Sequence, residues 1–404
     1  MGSDNRTPEG SRLIVANLDC ELDFPSSYPP LAASYRRPDL SAKAQAKLSR
    51  LAPLLRFLGK EEDRVVVDLE SQTAALGRKD RPSILAWAET EEVRRWRGGS
   101  STTYSTVTRS LKDRNLPDLL WHLPTTDPTT AARVNHRSFF LETAVALDLA
   151  LPGSKLIESL CELGSLAAPG DQPNTANGWV LKAPFSAAGR GHVWLPFDGS
   201  KEQNQRARKR AERLLAVFGS LLLEPWMKRT EDFGCCAVVT RQDLEILSLH
   251  EQRIDRHGGF HGLTMDPEPL SCSSLEPQER DALIETTERV GRRLRRAGYV
   301  GPFGVDAWRY ETADGRQHFH PLGEINARLT FGFVGRCVLN SFQSKGLVPA
   351  GARAVLHLSD PPSETTEAAF PVTSGAWLEI EHPRPGVAKE LEEASKTNNC
   401  SLHE

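Results

Sequence analysis

Apolar positions fall first into short unbroken runs and later into helical spacings. Leu13-Ile14-Val15-Ala16, Val65-Val66-Val67 and Ile84-Leu85-Ala86-Trp87 have strand length. Between and after them, Ala42 to Ala52 (stopped by Pro53) and Thr90 to Trp96 carry helical spacing. Short apolar strands alternating with helices predict a parallel α/β unit. The stretch from Leu116 to Thr130, with Pro117, Pro124 and Pro128 among Thr and Asp, reads as the boundary of that unit. Beyond it, Ser138 to Leu149 predicts an amphipathic helix ending before Pro152-Gly153, and Ser154 to Leu163 predicts another. A polar loop from Ala167 to Gly178 leads into strand signals at Trp179–Lys182, His192–Leu195, Cys236–Val239 and Leu244–Leu249. Residues 1–10 are polar and expected to be disordered. The tail after about Gly346, with its Pro/Ser/Thr/Glu-rich stretch near Pro361 to Glu367, is expected to be peripheral.

Composition narrows the classes. At 404 residues the chain exceeds the ~250–300 residues at which single cores stop growing, so two or three packed units are expected. Fifty Lys+Arg against 53 Asp+Glu leave a formal charge of −3, no global reason to bind nucleic acid. No apolar run approaches the ~20 residues of a membrane span. The N-terminus lacks the apolar core of a signal peptide. Seven cysteines without C-x-x-C spacing read as reduced thiols, so a cytoplasmic protein is expected. The basic runs Arg206 to Arg213 and Arg292 to Arg296 interleave with apolar residues but no aromatics, and read as solvated helix faces.

Two segments carry chemistry. In Lys182-Ala183-Pro184-Phe185-Ser186-Ala187-Ala188-Gly189-Arg190-Gly191-His192, a lysine ends a strand and a loop of small residues follows. Small residues let successive N–H groups approach an anion, and a lysine adds a point charge; a plain hairpin loop fits equally well. The second runs from Gly301 through Asp306 to Tyr310, turns near Asp314-Gly315, and returns through Glu324-Ile325-Asn326-Ala327-Arg328. Strand alternation puts Glu324 and Asn326 on one face. A three-residue loop of Asp314, Gly315 and Arg316 would set Asp306 opposite Glu324, whereas a two-residue turn would miss by one. In the first register two carboxylates and an amide oxygen converge, a set suited to Mg²⁺ held against a polyphosphate, with Arg328 on the same alternation. A surface hairpin with exposed charges is the alternative.

Together the segments resemble the ATP-grasp superfamily, in the order Lys182, the loop Ser186 to Gly191, Glu224-Pro225-Trp226-Met227, Asp306, and Glu324-Ile325-Asn326-Ala327-Arg328. The resemblance spans about residues 130–340. It implies an α/β and α+β chain: an N-terminal parallel α/β (pre-ATP-grasp) domain followed by a two-lobed fold with antiparallel sheets. The implied boundaries are 11–125 for the first domain, 126–223 for the lobe with the phosphate loop, 224–345 for the lobe with the metal site, and 346–404 for a C-terminal extension. ATP and Mg²⁺ are the implied cofactors, Mn²⁺ being an alternative metal. Lys182 and Arg137 would contact phosphates, and the loop with Ser186, Ala187, Gly189 and Gly191 would close over them. Glu224 would open the hinge whose Pro225, Trp226 and Met227 line adenine, and Asp232 would reach the ribose. Asp306, Glu324 and Asn326 would hold the metal, with Arg328 and Lys182 as catalytic groups.

The reaction implied is ATP-dependent joining of a small-molecule carboxylate to an amine or other nucleophile, releasing ADP and phosphate. No nucleic acid or membrane partner is implied. An ATP-binding regulatory module and a small-molecule kinase are the alternatives on the same fold. For the acid's carboxylate, the loop with Arg253, Arg256, His257 and His261 offers a basic surface, and a plain solvent loop fits it equally. Its glycines argue against a zinc pair at His257 and His261.

Overall fold

A parallel sheet of three short strands begins the chain. In this computed structural model, describing residues 12–60, 62–66, 83–96, 115–162, 176–186, 191–255, 259–312, 314–349, 351–360 and 369–381, it consists of β1 (Arg12–Val15), β2 (Arg64–Val66) and β3 (Ser83–Ala86), with β1 in the centre. Ile14 and Val15 are buried on opposite faces, as the unbroken apolar run requires of a strand covered on both sides.

The rest is antiparallel. β4 (Lys155–Ile157), β5 (Ala176–Lys182) and β6 (His192–Pro196) form a small sheet with the first part of β7 (Leu221–Val239). The later part of β7 belongs to a second sheet with β8 (Leu244–Ile254), β9 (Phe260–Met265), β10 (Gly301–Glu311) and β11 (Gln317–Asn326). One long strand therefore threads both sheets. Its residues Glu224 to Met227, read from sequence as a hinge, lie within continuous strand at the seam. The fold-class expectation holds: a small parallel sheet precedes two antiparallel sheets.

Helices cover both faces of the larger sheet. Pro277–Arg296 buries Leu283, Val290 and Leu294 against Phe233, Cys235, Phe303 and Val305. Phe331–Ser344 buries Phe333, Val334 and Cys337 on the opposite face, with Cys236, Val238 and Leu263. That second core also takes in Leu54, Leu55 and Leu58 of the N-terminal unit. Ser200 and Gln203 form a reciprocal cap starting the helix Lys201–Phe218, and Gly219 ends it at φ 76°. No helix among the described residues is long and apolar enough to cross a membrane.

Three local expectations need correction. The described part of Ser154 to Leu163, residues 154–162, is not one helix: it begins with β4, whose Lys155–Ile157 pairs with Leu221–Leu223 and buries Ile157, and only 160–162 form a short 3-10 turn. Apolar spacing over so few residues cannot separate strand from helix, and pairing with β7 decides it. Leu116 to Thr130 is largely helical, with helices Leu116–Trp121 and Pro128–Asn135 that each carry proline in the first turn. It is also docked, since Trp121 Nε1 donates to Leu58 O and Thr126 Oγ1 bonds both Val300 N and O. Finally, the tail is not peripheral. β12 (Arg353–His357) pairs with β9 and extends the large sheet to β13 (Ala369–Thr373) and β14 (Ala376–Glu381), burying Ala354, Leu356 and Leu378. Residues 1–10, Arg256, His257, Ala187 and Gly189 lie outside the described residues.

Candidate active site

Asp306 on β10 sits directly opposite Glu324 on β11, and Gly304 opposite Asn326. The register arises differently from the sequence expectation. Thr312 N–H donates to Arg316 O and Gly315 takes φ 80°, so the reversal falls one residue earlier than Asp314-Gly315-Arg316. An irregularity between Asp306 and Trp308, where β11 advances from His320 to Glu324, then restores the opposition. Gly323 is required there, because a Cβ would lie 2.5 Å from Trp308 Nε1.

Around this pair the polar groups interlock. Asp306 accepts from Gln252 Nε2 at 2.7 Å and from Asn326 Nδ2 at 3.0 Å. Asn326 Oδ1 accepts from Arg328 Nη2 at 3.0 Å. Glu324 accepts from Arg137 Nη2 at 2.9 Å, and the Arg137 backbone N–H donates to Pro184 O at the start of the small-residue loop. Asn135 clamps the backbone of Ala327 through both its amide atoms, at 3.0 and 3.2 Å. Burial, then the facing Glu324 carboxylate, pushes the Asp306 carboxyl up to about 7, against the pull of Gln252, Arg328 and Asn326.

The seam continues from there. Lys182 Nζ and Glu224 Oε2 form a buried ion pair at 2.5 Å. Burial pushes the lysine's pKa down, Glu224 works against that, and the nearby charge of Arg137 adds to it. His192 and His320 stand in the same field, their pKa values lowered to about 2 and about 4, chiefly by burial. Trp194 packs on Trp226 at 4.6 Å, and the Arg229 guanidinium lies 4.9 Å from the Trp308 ring. Gly191 O accepts from Ala183 N, and a Cβ on Gly191 would meet Ser186 Cβ at 2.5 Å, so the loop mouth is drawn tight.

Lys182, Glu224, Arg137, Asp306, Glu324, Asn326 and Arg328 are therefore brought into one strip across the seam. Asp232 is not part of it: it pairs with Arg229 at 3.0 Å and lines an open cavity of about 410 Å³ on the large sheet with Glu251, Arg253 and Asp255. Arg309 is tied to Glu231 and Glu279, and Arg253 faces Glu381 at 3.7 Å.

Sequence reasoning missed Glu21, whose carboxylate bridges Arg328 at 2.6 Å. It follows β1 within Asp19-Cys20-Glu21-Leu22-Asp23, at the carboxyl end of a parallel strand, where ligands of α/β sheets bind; that was the available signal. Glu21 also means that Arg328 is already paired, rather than open to an incoming oxyanion.

Among the described residues no group of three or more His, Cys, Asp or Glu could hold a metal. The available set is two opposed carboxylates and an amide, hard oxygen donors that suit Mg²⁺ completed by water and phosphate oxygens. The Asp306 carboxyl, raised first by burial and then by the facing Glu324, fits such a guest, since a cation would offset the repulsion between the two carboxylates.

No family model matches the chain. It is 28% identical over 151 residues, 37% of its length, to the [butirosin acyl-carrier protein]–L-glutamate ligase of Niallia circulans, and spans about a third (33%) of that relative. Similar solved structures include N5-carboxyaminoimidazole ribonucleotide synthetase from Thermus thermophilus, at 15% identity and TM-score 0.49, covering 96% of this chain and 98% of that one. Another is L-amino acid ligase from Bacillus licheniformis, at 11% identity and TM-score 0.44, covering 96% and 97%.

Proposed function

We propose that this chain is an ATP-dependent ligase that activates a carboxylate as an acyl phosphate and joins it to an amine. The observation carrying the reading is the convergence of Lys182, Arg137, Asp306, Glu324, Asn326 and Arg328 on one seam, with Pro184 and Gly191, at the two ends of the small-residue loop, hydrogen-bonded beside it. The curated relative is named as a ligase, which points the same way over its matched third.

A carboxylate is unreactive toward amines because its leaving group would be oxide. Attack of the acid's oxygen on the γ-phosphorus of ATP forms an acyl phosphate, a mixed anhydride, while the γ-phosphorus bond to the bridging oxygen breaks and ADP leaves. The amine then adds to the acyl carbon, the carbon–oxygen bond to phosphate breaks, and the amine's proton leaves to solvent. No covalent bond to the protein is needed, so its residues position groups and neutralise charge. Lys182 and Arg137 hold the phosphates. Asp306, Glu324 and Asn326 would hold Mg²⁺, which would supply positive charge against the phosphates. Arg328 meets charge developing on the transferred group; one such contact is typically worth ~10²–10³ in rate. The hinge residues Glu224, Pro225, Trp226 and Met227 border adenine, and the loop Ser186 to Gly191 keeps water from the acyl phosphate. We place the domain boundaries at 125, 223 and 345.

The test is mass spectrometry of products from the purified protein with Mg·ATP and a metabolite extract, alongside a coupled ADP assay with pooled acids and amines. Ligation requires both substrates and releases phosphate. Phosphate retained on an acceptor would identify a kinase, and absence of ADP would identify a binding module.

A further inference from the structure

We propose that the Glu21–Arg328 pair is the recognition element for a zwitterion, so that the acid activated here is an amino acid with a free ammonium group. This rests on the ligase reading and narrows its substrate class. Glu21 is 7% exposed, and among the described residues only one of its oxygens is engaged: Oε1 bridges Arg328, while Oε2 is buried and finds no hydrogen-bond partner there. The neighbouring acids Asp19 and Asp23 are both tied to Arg37, so Glu21 alone turns inward. It lines a cavity between Phe24, Phe185, Glu324 and Arg328 of about 10 Å³, room for roughly one water.

So small a space means the pair must part before a substrate enters. An anion arriving at Arg328 displaces Glu21, which would leave a buried carboxylate without a counter-charge, a strongly unfavourable state. A ligand carrying a carboxylate and an ammonium resolves both halves: the carboxylate takes the guanidinium and the ammonium takes Glu21, including its idle Oε2. A plain carboxylic acid satisfies only the first.

The experiment measures binding by thermal shift and calorimetry, using the full chain, Mg²⁺ with the non-hydrolysable analogue AMP-PNP, the standard amino acids and their N-acetyl counterparts. At least one free amino acid binds, and its N-acetyl form binds at least ~10-fold more weakly. In Glu21→Gln, which keeps the shape and can still accept from Arg328, the amino acid weakens by at least ~10-fold while the AMP-PNP shift persists, showing a folded variant. Equal binding of the N-acetyl form, unchanged affinity in Glu21→Gln, or no bound amino acid in wild type would each overturn the proposal. The same titrations without nucleotide decide it separately, whereas a wild type with no AMP-PNP shift would strike the ligase reading instead.

Discussion

Removing the charge of Lys182 separates its role in the fold from its role at the nucleotide. Lys182 and Glu224 are 5% and 4% exposed and touch at 2.5 Å. At an effective dielectric of about 20, two unit charges so close attract by roughly 6–7 kcal/mol. Desolvation of both ions offsets much of that, so the intact pair adds little net stability, but stranding one partner costs ~3–5 kcal/mol. Lys182→Met and Glu224→Leu should each cost about that, a fall of roughly 5 °C in melting temperature for a chain of this size. The double variant should recover at least half of the loss, because neither ion is left alone. Mg·AMP-PNP should stabilise wild type but not the double variant. The assay is thermal unfolding of all four proteins with and without nucleotide. Single costs below ~1 kcal/mol that simply add would show that the pair is not buried together. A double variant that responds to nucleotide like wild type would show that Lys182 does not contact phosphate.

Glu324→Ala should abolish Mg·ATP turnover, by more than ~10²-fold, with the melting transition retained; full activity in that variant would end the proposed function. Gly191→Ala should weaken Mg·AMP-PNP by at least ~10-fold, since its Cβ would meet Ser186 Cβ at 2.5 Å and Ala183 Cβ at 2.9 Å, and calorimetry showing wild-type affinity would contradict that loop geometry. His136 and His250 are buried, with pKa values lowered to about 4, chiefly by burial with a nearby arginine adding. A depressed histidine binds its proton in the unfolded chain first, so its stabilisation is full above pH ~6.5 and lost as pH falls toward 4. Each should cost about 2 kcal/mol by pH 5, and urea denaturation unchanged between pH 7.5 and 5 would refute this.

Where the sequence was informative, the information was local. Two-residue alternation placed Glu324 and Asn326 on one face because side-chain direction in a strand needs no knowledge of distant chain. The opposition of Asp306 and Glu324 was anticipated, yet it depends on an irregularity near Trp308 that no turn motif encodes. For Glu21 the sequence offered only its place beyond the carboxyl end of β1, since its partner Arg328 reaches it only when the N-terminal unit docks. The small strand β4 and the C-terminal strands β12 to β14 were lost for a related reason: short runs such as Lys155-Leu156-Ile157 acquire strand geometry from the neighbour they pair with.

Calorimetric titration of ATP into wild type, Asp306→Ala and Glu324→Ala, each with and without Mg²⁺, tests the central claim most directly. Metal-dependent binding in wild type that is weakened at least ~10-fold in both variants is the predicted result. Binding of equal strength without metal, or unchanged in either variant, would contradict a metal-bridged nucleotide at this seam.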